Sequence, residues 1–405
     1  MPAHGGCGRE RVERPLHEVA DIFRAHGEEY RATHVLTPQQ RQVMRDIETC
    51  RTAVLGGHLE LCLDCGDKTP AYNSCNNRHC PKCQALAQAR WLARRQQRIL
   101  PTAHFHVVFT LPAELRPLAR CNPKRIYGLM FQAVSQTLLT LGRDPQRLGA
   151  LIGITAVLHT WRRDLRFHPH LHCIVTGGGL ALDGKRWVEG SAEYLFPRQV
   201  MANLFRGKLL DGITRAHQRD PLVLTDDLAT PGAFERMRSK LYGKDWQVYA
   251  KRPFAGAQEV FAYLGRYTHR VGLSNRRILK HTPDRVTIAT RGDGTASMHP
   301  HEFIRRFLMH VMSKGFVKIR HYGLLAASNV KTKLEVARRL LGVDDHDPQD
   351  GDAAEAVQDW RDLMLEITGI DVRRCPVCGS TRRVRIPLEE AVNSDPLIIR
   401  SCRSP

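Results

Sequence analysis

HPHLHCIV, residues 168–175, is the stretch whose reading decides the fold. On a strand, residues i and i+2 share a face. His170 and His172 therefore present two imidazoles side by side, while Leu171, Cys173 and Val175 turn toward a core. Two imidazoles at that spacing can share a divalent ion. A working site needs a third protein ligand and open positions for a phosphate oxygen and water. His159 ends the preceding predicted strand, Gly153–His159, and an antiparallel return brings it beside the pair. His168 shares the strand face, but Pro169 intervenes and the reach to a common ion is long. His104 and His106 make another same-face pair on the predicted strand HFHVVFTLP, residues 104–112, where support of the ligands, phosphate contact or packing all fit. Between these strands, residues 123–141 read as a helix, and Gly177, Gly178 and Gly179 as a flexible turn ending the third strand.

Downstream lies YLGRYTHRVGLSNRRI, residues 263–278. Tyr263 and Tyr267 are four apart on a predicted helix and so lie on one face, one turn apart. A protonated phenol is a weak nucleophile, with a reference pKa near 10. A bound ion changes that by polarising the scissile phosphate and screening the incoming phenolate. Ordinary packing explains two tyrosines as well when they are taken alone; the histidine pair and the basic run shift the reading to chemistry. Arg266, Arg270, Arg276 and Arg277 of that run are candidate contacts to a nucleic-acid backbone. No GxxxxGK[ST] motif is present, since Gly184-Lys185 is followed by Arg, which is consistent with chemistry that needs no ATP.

The N-terminal third carries CLDCG and CPKC. A CxxC turn brings two thiolates onto one metal, and Cys62, Cys65, Cys80 and Cys83 predict one structural zinc with all four positions filled. The metal stands in for a core that residues 58–83, poor in apolar side chains, cannot build. Cys75, His79 and His58 stay unassigned, and Arg78 and Lys82 can face DNA. Cys375 and Cys378 form half a site, with Cys402 as the nearby third thiol. Ahead of the cluster, Thr37, Pro38 and Gln40 start a helix with a capping box, its apolar face carrying Val43, Met44, Ile47 and Val54, stopped by Gly56 and Gly57.

The charge agrees. Against 41 acidic residues stand 61 Lys and Arg, a net +20, which favours a polyanionic partner through counterion release. The N-terminus lacks the apolar segment of a signal peptide, and no apolar run reaches membrane-spanning length. A cytoplasmic location follows as the expectation, and with it metal ligation or free thiols for the 12 cysteines rather than disulfides.

The His170-Leu171-His172 element resembles the signature of the HUH endonuclease superfamily. CNNRHCPKC (75–83), FHPHLHCIVTGGG (167–179), YLGRYTHRVGLSNRRI (263–278) and HYGLLA (321–326), in this order, resemble the two-tyrosine rolling-circle insertion-sequence transposases with an N-terminal zinc-binding domain. The resemblance implies an α+β protein: a ferredoxin-like antiparallel-sheet nuclease domain over 101–325, with an insertion at about 180–255, preceded by a small helical zinc-binding domain over 1–100. A linker and partial zinc motif over 326–405 follow. Relaxases of the superfamily carry a third metal histidine eleven residues before the first of the pair, which falls here on His159. The implied activity is cleavage and rejoining of single-stranded or hairpin DNA ends of a mobile element through a 5′-phosphotyrosine, with zinc as structural metal and Mg2+ or Mn2+ as catalytic metal. Homo-oligomerisation is left open. A replication initiator or conjugative relaxase shares this chemistry. A zinc-dependent DNA-binding regulator explains the charge and cysteines but not the histidines with the tyrosines, and a nuclease using water makes no covalent adduct.

Overall fold

The computed structural model describes residues 15–83, 88, 91, 98–191, 193–251, 254, 259–260, 272–343 and 359–388. The strands, numbered along the chain, are β1 Gly57–Cys62, β2 Lys68–Tyr72, β3 His104–Thr110, β4 Ala150–Trp161, β5 Phe167–Ala181, β6 Trp187–Glu189, β7 Val248–Ala250, β8 Ile278–His281, β9 Val286–Ala289, β10 Thr295–Met298, β11 Ile319–Gly323 and β12 Arg383–Pro387. The chain divides into two units. One holds Trp91–Gly272 and Met309–Glu355; the other holds Met1–Arg90, Leu273–Leu308 and Ala356–Pro405.

In the first of these, an antiparallel sheet runs β11-β4-β5-β3-β7, with β6 paired to β5. Both β3 and β4 are antiparallel to β5, so they run parallel to each other and need a crossover. The helix Pro123–Arg143 supplies it, starting with proline at its first turn. This is the split β-α-β arrangement of a ferredoxin-like sheet, as expected, with β5 filling the gap. Ile126, Met130, Phe131, Val134 and Leu138 of the helix are buried with Phe105, Val107, Phe109, Leu158, Leu171, Cys173 and Val175, the alternate residues of β3, β4 and β5. One face of the sheet is thus covered by apolar helix, and the residues between them face the other side.

Residues 180–255 share the unit and the core of this sheet. The helix Arg198–Arg219 puts Met201, Phe205, Leu209 and Ile213 into the same core, Phe205 meets Phe109 edge-on at 5.2 Å, and β7 extends the sheet beside β3. The glycine triplet is not a turn, because β5 continues through it to Ala181. Its neighbours crowd it from both sides: a Cβ on Gly179 would lie 2.7 Å from the Leu151 carbonyl oxygen, and one on Gly178 2.6 Å from that of Val188. Glycine is there so that β4 and β6 can approach.

The second unit begins with the helices Val19–Thr33 and Pro38–Thr49. The expected capping box holds: Thr37 Oγ1 accepts from the Gln40 amide at 3.2 Å. The helix stops earlier than the sequence suggests. It ends at Thr49, Cys50 turns into extended geometry and is buried, and Val54 is 76% exposed rather than part of the apolar face. Two three-stranded antiparallel sheets complete the unit, β12-β1-β2 and β10-β9-β8, with the helix Pro300–Leu308.

Residues 273–308 join the cysteine-rich unit, and the C-terminal segment divides. The helix Lys333–Leu340 buries Leu334 and Ala337 with Leu151 and Leu180 of the nuclease sheet, whereas β12 pairs with β1. Among the described residues no helix is long and apolar enough to cross a membrane.

Candidate active site

The face of the β4-β5-β3 sheet opposite the helix Pro123–Arg143 carries the histidines. In the register His159 of β4 lies opposite His170 of β5, and directly opposed residues on antiparallel strands point to the same side. One ring nitrogen each from His159, His170 and His172 lies within 4.8 Å of the other two. This is the expected trio, with His159 as its third member. His168 is not part of it: its Nδ1 accepts from Arg116 Nη2 at 2.9 Å, on the far side of Pro169.

Two contacts orient the pair. His170 Nδ1 donates to the His168 carbonyl at 2.6 Å, leaving Nε2 for an ion. His172 Nδ1 lies 2.9 Å from His106 Nε2, the rings stacked at 5.2 Å between centroids. If His172 binds an ion through Nε2, its Nδ1 carries the proton and His106 Nε2 accepts it. Burial pushes both rings below the usual histidine pKa, His172 further because a proton on it would be repelled by Lys251 and by any charge on His159, His170 or His106. Both rings are neutral near pH 7, the form that ligates metal. His159 stacks on Trp161, 4.8 Å between centroids, which fixes its ring. The donor set, three imidazole nitrogens within 4.8 Å of one another, fits a divalent ion.

His106 was one of two unassigned strand histidines in the sequence. The structure separates them: His106 supports His172, while His104 Nδ1 donates to the Thr102 carbonyl at 2.8 Å and is buried away from the trio. Replacing His106 with Ala is expected to weaken Mn2+ binding by roughly 10- to 100-fold, the usual cost of losing a ligand's outer partner. Isothermal calorimetry measures this, and His106→Gln, which restores an acceptor, should recover part of it. An unchanged affinity in both variants would remove His106 from the site.

Tyr263, Tyr267, Arg266 and Arg270 lie outside the described residues. The residues flanking them are placed. Val260, three before Tyr263, is buried against Ile174, two residues along β5 from His172 and on the same face. Gly272, five after Tyr267, sits beside Trp161 and Leu165, where a Cβ would touch both.

The basic candidates separate. Arg276 and Arg78 are exposed. Arg277 donates through Nε and Nη2 to the Ala289 carbonyl, at 2.9 and 2.7 Å, and so braces β9. Lys82 pairs with Glu18. The sequence reading missed Arg162, Arg163 and Arg166, exposed on the turn between β4 and β5, and Arg116 beside His168. Their signal was in view in WRRDLRF, residues 161–167, which joins the strands bearing His159 and His170.

The cysteines do not gather as expected. Cys62 and Cys65 are not with Cys80 and Cys83; the two CxxC turns belong to different groups of four. Cys80 and Cys83 join Cys75 and Cys50, with Cys83 Sγ 3.5 Å from Cys50 and 3.7 Å from Cys75. Cys50 arrives there because the helix Pro38–Thr49 stops short, and Asn77 braces the loop by donating to Asp46 of that helix at 2.7 Å. Cys62 and Cys65 meet Cys375 and Cys378, with Sγ separations of 3.6 Å for Cys62–Cys378 and 3.7 Å for Cys65–Cys375. A tetrahedron of thiolates at the usual zinc–sulfur length of about 2.3 Å has edges of about 3.8 Å, whereas a disulfide needs about 2.05 Å. The spacing is that of structural zinc. His58 instead pairs with Glu60 at 3.0 Å, His79 is buried outside both groups, and Cys402 lies outside the described residues.

Comparison with known proteins agrees with this geometry. A family model described as "Putative transposase" matches residues 153–333, and one described as "Transposase zinc-binding domain" matches residues 22–111. "Putative transposase y4qJ" of Sinorhizobium fredii (strain NBRC 101917 / NGR234) is 43% identical over 389 residues, covering 94% of this chain and 97% of the relative. "Transposase for insertion sequence element IS801" of Pseudomonas savastanoi pv. phaseolicola is 27% identical over 300 residues, 70% of this chain and 71% of the relative. No solved structure matches.

Proposed function

Because the chain belongs to the two-tyrosine insertion-sequence transposases with an N-terminal zinc-binding domain, we propose that it moves its element by cutting and rejoining single-stranded DNA through a 5′-phosphotyrosine, in a rolling-circle scheme. The observation that carries this reading is the gathering of His159, His170 and His172 within reach of one ion, and it is supported by Val260 and Gly272, the described residues nearest the two tyrosines on either side, which pack against Ile174 and against Trp161 and Leu165.

A divalent ion on that trio, Mg2+ or Mn2+ for a hard phosphate oxygen, would supply charge stabilisation to the reacting phosphate. The protein's own groups do the rest. His106 and the His168 carbonyl hold the two β5 ligands in one orientation. Arg116, Arg162 and Arg163 border the site, where they can hold the strand by its backbone without reading its sequence. One tyrosine Oη attacks phosphorus. The new bond is Oη–P, the broken bond is P–O3′, and the phenolic proton ends on the departing 3′-oxygen. No bond energy is lost, so the reversal needs only a new 3′-OH. Two tyrosines let one hold the first end while the other takes the second. The substrate expected for this chemistry is a single-stranded or hairpin end rather than a duplex.

The test is incubation with 5′- or 3′-labelled single-stranded element ends and Mn2+, then denaturing electrophoresis. A protein-linked 5′-phosphate with a free 3′-OH product supports the reading. Cleavage of the 3′-labelled strand without any protein-linked label points to water as nucleophile and ends it.

A further inference from the structure

The group Cys62, Cys65, Cys375 and Cys378 is not contained in the matched zinc-binding segment, residues 22–111, which includes all of the other group and only half of this one. We propose that it is a second, separate zinc site that clasps the C-terminal segment to the N-terminal one.

Its two halves are built alike. Cys62-Leu63-Asp64-Cys65-Gly66 and Cys375-Pro376-Val377-Cys378-Gly379 are both CxxCG turns. In each, the glycine amide donates to the carbonyl of the first cysteine at 3.0 Å, with glycine φ of +75° in one and +77° in the other. In each, the first cysteine's amide donates to a carbonyl five residues on, Cys62 to Asp67 at 2.9 Å and Cys375 to Ser380 at 2.7 Å. This is the loop that frees two sulfurs to point one way, made twice from unrelated sequence. A left-handed φ is what glycine alone accepts at low cost, so both turns carry a residue selected for the conformation.

The surroundings serve the same joint. β1, which delivers Cys62, pairs along its length with β12, which follows Cys378, from His58 opposite Pro387 to Cys62 opposite Arg383. Glu60 of β1 receives Arg383 at 3.1 Å and Arg385 at 2.9 Å from β12. Arg382 reaches back to Asp64, inside the first turn, at 2.7 Å. Paired strands with two CxxCG turns at one end bring four sulfurs to one point from positions 310 and 316 residues apart. Closing so long a loop has a large entropic cost that two short strands offset poorly, and a metal held from both sides makes the closure worthwhile.

Cobalt substitution tests this on the full chain, because the thiolate-to-cobalt charge-transfer band reports sulfur ligands and ignores the histidine trio. The wild-type band should saturate with two thiolate-bound Co2+ per chain. In Cys375→Ser/Cys378→Ser it should fall by half, and zinc content should drop by one per chain. A wild-type band that saturates at one thiolate-bound Co2+ overturns the proposal, and this arm does not depend on the variant folding. A double variant that keeps the full band and zinc content overturns it as well.

Discussion

Changing His172 to Ala is expected to abolish strand cleavage, by on the order of 10³-fold or more, the scale on which removing one group that stabilises charge on the reacting atoms acts. The ring is the centre of the site. It contributes one of three nitrogens, and its other nitrogen is engaged by His106. Without it, His159 and His170 remain as a two-imidazole site. DNA binding should stay within a few-fold of wild type, since phosphate contacts are spread over many basic residues, of which the chain has 61. The fold should persist, because the histidine lies on the face away from the helix Pro123–Arg143 while Leu171 and Cys173 on either side hold the core. Calorimetric Mn2+ titration, cleavage and circular dichroism on one preparation separate these effects. Normal cleavage by His172→Ala would remove the trio from the mechanism. The same experiment on His159→Ala and His168→Ala tests the third ligand: His159→Ala should fail and His168→Ala should cleave.

The double variant Tyr263→Phe/Tyr267→Phe should form no covalent adduct at all. Phenylalanine keeps the ring and removes only the hydroxyl, so the loss reports chemistry rather than a cavity. Each single variant should retain some adduct on a simple nicking substrate and fail at complete strand transfer, because transfer needs one hydroxyl to hold an end while the other acts. If Tyr267→Phe transfers normally and Tyr263→Phe forms no adduct, only Tyr263 is a nucleophile and Tyr267 has another task, such as stacking on a base. Peptide mapping of the trapped adduct identifies the linked oxygen independently of any effect on folding.

The sheet and the trio were legible because strand periodicity is strict. Alternation along residues 168–175 assigns each side chain to a face, and an antiparallel return leaves little freedom for where His159 arrives. The cysteines were less legible for the opposite reason. A CxxC turn declares that two sulfurs point together but says nothing of which other pair they meet. Proximity in sequence favoured Cys80 and Cys83 for Cys62 and Cys65, yet the strand pairing of β1 with β12 decided otherwise. Cys50 carried no signal, being a lone thiol at a helix end. The glycine triplet failed as a turn because composition cannot distinguish glycine that bends a chain from glycine that lets neighbouring strands close in.

The pairing of β1 with β12 also sets a schedule for synthesis. Glu60 and Arg385 are 325 residues apart. At roughly 5 to 20 residues per second, about 16 to 65 s separate their emergence from the ribosome. Through that interval β1 has β2 on one side and an unfilled edge on the other, the kind of edge that recruits strands from other chains. The nuclease sheet has all its described strands once β11 is made, whereas the cysteine-rich unit must wait for β12. A ribosome that stalls or terminates after β11 therefore releases a chain with the described strands of its nuclease sheet complete and its β1 edge open.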